Sequence, residues 1–445
     1  MKITIQKRGI RTAVSTLTNV SAVALAFSCV TPCLGQEAET PPEKKSAWDF
    51  LPDGIKNGKF NVNSLLRWEY ADQDAHPFAR GGADPKQSNA FTIRNRVGFT
   101  TASMANFKSS LEFEDVTAIG GYDNYNPAGL KPESANRTVI ADPEATEINQ
   151  AWLAYENWDA AMKGGRQKIV LDDSRWIGDV IWRQNQQTYD AATFNYSGFD
   201  KINLFYGYIW NVNRILGDNH PAGDWESDSH IFNVSYDGFK YGKLVAYSYL
   251  LDLENAAVSS ASYGASFAGS APVTDTMSAV YRAEYAHQTD YGDAPSDFGV
   301  NYYKLELGAT HGKKFNYGVG YEVLGSDSTI GSGQLKRATM PLSTAHKFNG
   351  WADLFLATPP DGLEDLYVWA GGTLPGNVPL KVFWHEFSAE QSGNDYGHEF
   401  NAVATRKFGK YFTALIKYAH YWEGDQVGFA TPPTDRFWLQ LAFNY

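Results

Sequence analysis

Apolar and polar residues alternate along several stretches of this 445-residue chain, and the alternation limits the folds that it can adopt. Between residues 60 and 70 the aromatic and aliphatic side chains sit mainly at even positions, and the odd positions carry mainly Asn, Arg and Glu. The same period recurs in 91–100 and 107–114. A period of two places one parity on each face of a β-strand. No stretch after residue 36 has the ~20 consecutive apolar residues of a membrane helix, so a β-rich soluble protein or a membrane β-barrel remains.

The number and spacing of the strands favour the barrel. Many predicted strands are close to the ~9–11 residues that a tilted membrane strand needs. Short polar junctions alternate with longer segments, and both chain ends fall on the short side, as in bacterial outer-membrane barrels. The eighteen predicted strands lie near 60–70, 91–100, 107–114, 147–157, 163–171, 188–196, 201–212, 229–236, 242–252, 257–267, 276–287, 300–310, 315–325, 363–371, 378–388, 398–407, 411–422 and 435–445.

The sequence therefore predicts an all-β fold, a transmembrane antiparallel β-barrel of about eighteen strands with short periplasmic turns and long extracellular loops. The strand 257–267 is the least regular, but the short–long alternation requires it. The last strand places Phe437, Leu439 and Leu441 on one face, and it would close the barrel against the first strand. An edge strand of a soluble sandwich is the alternative.

The N-terminus predicts export. Residues 1–35 resemble a secretory signal peptide, because four basic residues precede an uncharged stretch from 12 to 36 with a cleavage site before Gln36. A lipidated Cys29 or Cys33 is a less favoured alternative. Residues 36–57 are expected to be a flexible lead-in, and 58–445 the barrel. Loss of the leader would remove both cysteines and change the net charge from −12 to −16. We expect an outer-membrane location in a Gram-negative cell and no nucleic-acid partner.

A barrel of this size can hold an aqueous channel, which the polar parity would line. The candidate substrate-binding cations on this parity are Arg67, Arg94, Arg96, Arg282 and Lys304. Such cations can attract an anionic polymer, while carboxylates on the same parity prevent tight binding, and conduction needs several weak sites. The alternative for each residue is an ion pair that stabilises the barrel interior.

Three segments of the chain resemble the alginate export family of outer-membrane porins. They are Gly164–Ala191 (GGRQKIVLDDSRWIGDVIWRQNQQTYDA), Ser262–Asp293 and His346–Leu366 (HKFNGWADLFLATPPDGLEDL). With the strand pattern, the resemblance extends over essentially all of 58–445. It implies an eighteen-stranded barrel whose electropositive constriction passes a polyuronate out of the cell. An anionic polysaccharide, outer-membrane lipid and periplasmic scaffold proteins are the partners that it implies.

The first of these segments carries the strongest candidates for binding a carboxylated sugar. Arg166 and Lys168 are predicted on one parity of a strand that faces the lumen, and Arg175 and Arg183 follow in a loop. Guanidinium groups pair with carboxylates in a bidentate fork. Asp190, on the next strand, would hold one of these arginines in position. The alternative is that Arg175 and Arg183 only tie down the loop.

The segment 326–362 is long for a simple connection, and we expect it to fold inward as a partial plug or lid. Its candidate residues are His346, Lys347, Trp351 and Asp353. Stacking on a sugar ring and packing within the loop are the two interpretations of Trp351.

Three functions are compatible with this sequence. The leading one is an outer-membrane channel that exports an anionic, alginate-like polysaccharide. The second is a diverged porin that takes up small anionic or sugar solutes. The third is a barrel enzyme or surface-binding protein, although motifs such as HExxH and GxSxG are absent from the sequence. We therefore predict no catalytic residue, cofactor or metal.

Overall fold

The computed structural model describes residues 52–74, 85–254, 256–312, 314–327, 336–425 and 431–445. The predicted signal peptide and the lead-in up to residue 51 lie outside the described residues. Near the end of the predicted lead-in, Asp53–Lys56 form a single helical turn, α1. Within the described ranges no helix is long and apolar enough to cross a bilayer.

Eighteen strands follow α1 in a single sheet. In chain order they are β1 (Lys59–Gln73), β2 (Ser88–Thr100), β3 (Phe107–Ala118), β4 (Ala145–Asn157), β5 (Ala160–Gln167), β6 (Thr188–Phe199), β7 (Ile202–Asn213), β8 (Asp224–Phe239), β9 (Gly242–Leu251), β10 (Ser260–Pro272), β11 (Met277–Thr289), β12 (Gly299–His311), β13 (Phe315–Leu324), β14 (Leu363–Leu374), β15 (Val378–Ser388), β16 (Asp395–Phe408), β17 (Phe412–Glu423) and β18 (Thr434–Asn444).

The sheet closes on itself, because β18 pairs antiparallel with β1 from Asn63↔Asn444 to Gln73↔Thr434. Every other neighbouring pair is also antiparallel and consecutive in the chain. The predicted barrel of eighteen antiparallel strands is confirmed, including the strand predicted at 257–267, which is observed as β10. Closure leaves no free edge, so the whole backbone ladder is satisfied inside the sheet.

Short turns lie at one end of the barrel and long loops at the other. The β4–β5 turn consists of Trp158 and Asp159, whose φ angles of 49° and 58° are those that a type I′ hairpin turn requires. Three long loops matter for function: the β3–β4 loop (119–144), the β5–β6 loop (168–187) and the β13–β14 loop (325–362). Residues 328–335 of the last lie outside the described ranges.

The outward face of the barrel is apolar. Leu305 and Leu307 on β12 are 56% and 61% exposed, whereas Glu69 and Arg94 on the inward parity are almost fully buried. Such an exposed apolar band is the surface that a transmembrane barrel presents to lipid. Exposed rings that sit at or beside the short-turn ends of the strands fit an interfacial girdle: Phe60, Phe107, Phe199, Phe239, Phe315, Phe408, Phe412 and Tyr445.

The buried core lies inside the barrel, where two long loops pack against each other. The N–H of Gly178 in the β5–β6 loop donates to the carbonyl of Leu342 in the β13–β14 loop at 2.8 Å. The N–H of Thr344 donates back to the carbonyl of Ser174 at 3.0 Å. Ile177 and Leu342 are fully buried. The described part of 326–362 therefore lies within the lumen, together with the β5–β6 loop.

Candidate functional site

A cavity of about 740 Å³ lies in the lumen between these two loops and the wall formed by β10–β15 and β17. Its volume falls in the range of pockets that hold small molecules. Its lining combines cations, carboxylates and aromatic rings. The cations are Arg282, Lys304, Lys347, Lys381 and Lys417, the carboxylates are Asp173, Glu306, Glu322 and Asp365, and the aromatic rings are Trp182, Tyr281, Phe348, Trp351, Tyr367, Trp369 and Phe383.

Several of the predicted lumen cations converge on Asp173 in the β5–β6 loop. Its carboxylate lies 3.5 Å from both Arg282 Nη2 and Lys304 Nζ. Lys347 Nζ donates to the main-chain carbonyl of Asp173 at 2.6 Å. Burial alone would raise the pKa of Asp173, but Lys304 and Arg282 more than offset it and hold that pKa below its ordinary value. The cluster anchors the β5–β6 loop to the barrel wall and places three cations at the cavity.

Arg175 anchors the same loop more deeply. Its Nε lies 2.9 Å from Glu322 on β13, and its Nη2 donates to Asn349 Oδ1 at 2.8 Å. Arg175 is only 3% exposed, so its guanidinium does not reach the cavity. The structure thus gives it the loop-fixing arrangement, one of the two interpretations of the sequence.

Arg183 links three parts of the molecule. Its Nη1 lies 3.2 Å from both carboxylate oxygens of Glu69 on β1, and its Nη2 donates to Asp353 in the β13–β14 loop at 2.6 Å. Asp142 in the β3–β4 loop is 3.8 Å away. Burial lowers the pKa of Arg183, but Glu69 and Asp142 outweigh it and raise that pKa above its ordinary value. Arg183 therefore remains charged and ties the inward loops to the wall.

Lys417 on β17 is held in a cage of indole rings. Its Nζ lies 3.9 Å from the ring centre of Trp182 and 3.7 Å from that of Trp351, distances that suit cation–π attraction. The same nitrogen lies 2.6 Å from His346 Nε2, and His346 Nδ1 lies 2.6 Å from Asp353. An ammonium can only donate, so Nε2 accepts and Nδ1–H donates to Asp353. Burial, with Lys417 adjacent, lowers the pKa of His346 well below its ordinary value.

The arginines predicted on the first two strands face inward but do not border the cavity. Arg67 lies 3.1 Å from Asp142 and stacks over Trp182, and Arg96 pairs with Glu114. Arg94 reaches the main-chain carbonyl of Arg183 at 3.5 Å. These three arginines are 1–4% exposed. They support the β3–β4 and β5–β6 loops rather than offering charge to a solute.

The prediction that Arg166 and Lys168 share a lumen-facing strand surface is wrong. β5 ends at Gln167, so Lys168 already lies in the β5–β6 loop. Arg166 shares the outward parity of Met162, which is 56% exposed. Its Nε and Nη2 donate to the two carboxylate oxygens of Asp190 at 2.8 and 3.2 Å. The expected contact between Asp190 and an arginine is thus present, but on the outer face.

The error has a simple physical origin. The aliphatic run 169–171 appeared to continue the strand, whereas it turns inward as part of the loop, where Ile169 is buried. Lys168 consequently borders a second lumen cavity of about 450 Å³ together with Lys163 and Lys243.

Sequence reasoning missed the aromatic part of the cavity wall. Trp369 and Phe383, paired across β14 and β15, both border the cavity. In 363–371 both parities carry apolar residues, so the sequence does not show which face Trp369 occupies. One parity of the predicted strand 378–388 carries Lys381, Phe383 and His385. This combination of charged and aromatic residues on one face was the sequence pattern that could have indicated the site.

Solved structures with the same architecture define the class of protein. OccK5 of Pseudomonas aeruginosa is 9% identical, with a TM-score of 0.64 over 88% of this chain and 100% of that chain. OccAB1 of Acinetobacter baumannii is 11% identical, with a TM-score of 0.66 over 90% and 100%. A BenF-like porin of Pseudomonas fluorescens is 12% identical, with a TM-score of 0.65 over 88% and 100%. At these identities the similarity is one of fold: this chain shares the closed barrel architecture of these proteins.

The family follows from the sequence match. A family model described as alginate export matches residues 60–301, more than half of the chain. The protein therefore belongs to the alginate export family and is an outer-membrane channel. Both this family and this fold are those of channels rather than of enzymes. Among curated proteins none matches.

Proposed function

We propose that this channel exports an anionic polysaccharide, an alginate-like polyuronate, across the outer membrane. The observation that supports this proposal is the cavity lining, which brings five cations and several aromatic rings together, with carboxylates among them. A uronate presents a carboxylate, which pairs with Arg and Lys, and an apolar ring face, which packs on aromatic side chains. Membership of the alginate export family favours the same class of substrate.

The charges at the cavity suit passage rather than retention. Arg282 has Glu284 at 2.5 Å as well as Asp173, and Lys304 has Glu306 at 4.0 Å. A substrate carboxylate must therefore compete with a carboxylate of the protein at these positions. Competition makes each site weak, and a series of weak sites is what conduction needs.

The position of three lysines favours entry from the periplasm. Lys381 lies on the half of β15 that begins at a short turn. Lys163 on β5 and Lys243 on β9, which border the second cavity, also lie close to short turns. Since short turns of outer-membrane barrels face the periplasm, a polyanion from inside the cell would meet these cations first. Periplasmic scaffold proteins that deliver the polymer would dock at the same end.

The loops inside the lumen favour a second candidate function, uptake of small anionic or sugar solutes. Arg175 and Arg183 fix the β5–β6 and β13–β14 loops to each other and to the wall. With the loops docked, the cavity at the site has a volume of about 740 Å³. This volume suits a short saccharide better than a polymer, so export would require the loops to move.

Planar-bilayer recordings distinguish the two functions. A long oligouronate added at the short-turn side should interrupt the open-channel current, with interruptions that shorten when the voltage drives the anion through. A neutral oligosaccharide of matched length should leave the current unchanged. A channel that passes a uronate disaccharide but ignores the long oligomer would support small-solute uptake. Current that neither acidic nor neutral saccharides nor other small anions alter would overturn both proposals.

A further inference from the structure

Trp369 on β14 lies over a strip of barrel wall that has no side chains. Its register partner on β13 is Gly318, and Gly308 on β12 pairs with Gly318. A Cβ on Gly318 would collide with the Cζ2 and Cη2 atoms of the indole and lie 2.6 Å from the main-chain oxygen of Leu307. One on Gly308 would lie 2.8 Å from Cζ2 and 2.5 Å from the main-chain oxygen of Tyr317. The indole thus occupies the space that two side chains would otherwise fill. It also borders the cavity, so it offers the lumen a ring surface backed by rigid wall.

A second ring and an ammonium group complete this part of the wall. Phe383 on β15 is the register partner of Trp369 on the other side. Lys381 Nζ lies 4.3 Å from the ring centre of Phe383 and 5.8 Å from that of Trp369. The charge therefore lies over the faces of the two rings, closer to Phe383 than to Trp369.

Lys381 differs from the other cations of the cavity in its partners. Within the described residues no carboxylate oxygen lies within 4.0 Å of its Nζ, whereas Arg282 and Lys304 each have such a partner. Lys347 and Lys417 also lack a carboxylate there, but Lys347 is bonded to the main-chain carbonyl of Asp173, and Lys417 is buried and bonded to His346. Lys381 is only partly buried. Its charge is consequently available to a solute.

The geometry points to a uronate-binding subsite formed by Trp369, Lys381 and Phe383. The C–H face of one pyranose ring would stack on the indole, and the carboxylate of the same sugar would accept a hydrogen bond from Lys381 Nζ. This inference rests on the proposed function and names the point at which the wall engages one sugar at a time. A lysine binds as a point charge on a flexible stem rather than as a rigid fork, which favours release to the next site.

The test uses full-length protein in planar bilayers with a long oligouronate, and it measures how long each blocking event lasts. Lys381→Gln should shorten the events about tenfold, the effect of losing one hydrogen bond to a charged group. Trp369→Ala should shorten them too. Gly318→Ala keeps both the ring and the charge but displaces the indole, so it should also shorten them. Lys381→Arg should restore most of the block.

A matched control removes a positive charge at the same short-turn end of the barrel but leaves Trp369, Lys381 and Phe383 unchanged. Lys410, in the turn between β16 and β17, has its Nζ over the ring of Tyr411, and Lys410→Gln should leave the duration of the block unchanged. If wild-type protein shows no block, the proposed function fails. If wild-type protein is blocked and Lys381→Gln and Gly318→Ala both match it, the subsite is wrong and the proposed function stands. Lys381→Gln, which removes only the charge, gives the answer even if Trp369→Ala or Gly318→Ala does not fold.

Discussion

Replacement of Arg183 by Met should release the inward loops while the barrel stays intact. Arg183 connects Glu69 on the wall, Asp142 in the β3–β4 loop and Asp353 in the β13–β14 loop. The strand ladder does not depend on it, because every strand is paired with two neighbours. The expected result is a barrel of normal stability with a β13–β14 loop that undocks more often.

The size of the effect follows from the partners that remain. Removal of one member of a buried ion pair costs about 3–5 kcal/mol. Glu69 would keep Arg436 at 3.2 Å and Asp142 would keep Arg67 at 3.1 Å, whereas Asp353 would keep only His346, which burial holds neutral. We therefore take the low end, about 3 kcal/mol. This corresponds to roughly a hundredfold increase in the ratio of released to docked loop.

Two measurements check this prediction. Amide hydrogen exchange of 336–362 should accelerate in Arg183→Met, and single-channel current should become larger and noisier. Adding Asp353→Asn should recover most of the protection, because no buried carboxylate is then left without its cation. Lys108→Met is the control: its pair with Glu156 is largely solvated, so its loss should cost about 0–1 kcal/mol. Equal exchange rates in Arg183→Met and Lys108→Met would refute the reasoning.

Three further predictions follow from the same contacts. Burial depresses the pKa of His346, so the docked loop disfavours the imidazolium. Docking should therefore be fully stable above pH ~6.5 and weaken as the pH falls below that value. His346→Gln should remove this dependence, as measured by current noise against pH. Leu439→Arg on the lipid-facing side of β18 should lower the free energy of unfolding of the barrel in liposomes by about 2–4 kcal/mol, as measured by urea titration. Phe412→Arg near the rim should lower it by only about 0–1 kcal/mol. Since Arg166 lies on the outer face, Arg166→Gln should leave ion selectivity unchanged in a salt-gradient reversal-potential measurement, and a shift would mean that it lines the pore.

The fold could be read from the sequence because lipid and lumen impose opposite demands on neighbouring residues. The alternation of Phe91 and Ile93 with Thr92 and Arg94 requires one apolar and one polar face, and this requirement fixes the strand and its register. The alternation of short and long connections then indicates that consecutive strands are neighbours in the barrel. It even predicted β10, whose own residues carry a weaker pattern.

The site was less predictable because loops inside the lumen carry no such periodicity. Nothing in the local sequence indicates that Arg183 meets Glu69, which is 114 positions away. The errors at Arg166 and Lys168 arose where a strand ends early and the parity ceases to apply. The position of Trp369 was also not predictable from the local sequence. The space for its indole is left by Gly318 on β13 and Gly308 on β12, and neither glycine is near Trp369 in the chain.

The number of lumen cations is therefore a poor guide to the selectivity of this channel. Arg175 and Arg183 are buried in ion pairs that position the β5–β6 and β13–β14 loops, and such pairs add little net stability but fix one arrangement. An anion in the cavity meets the charges that are partly exposed there, such as Lys347 and Lys381. Discrimination for an acidic sugar should accordingly depend on those lysines and the rings beside them, and access to them should depend on the buried arginines that hold the loops.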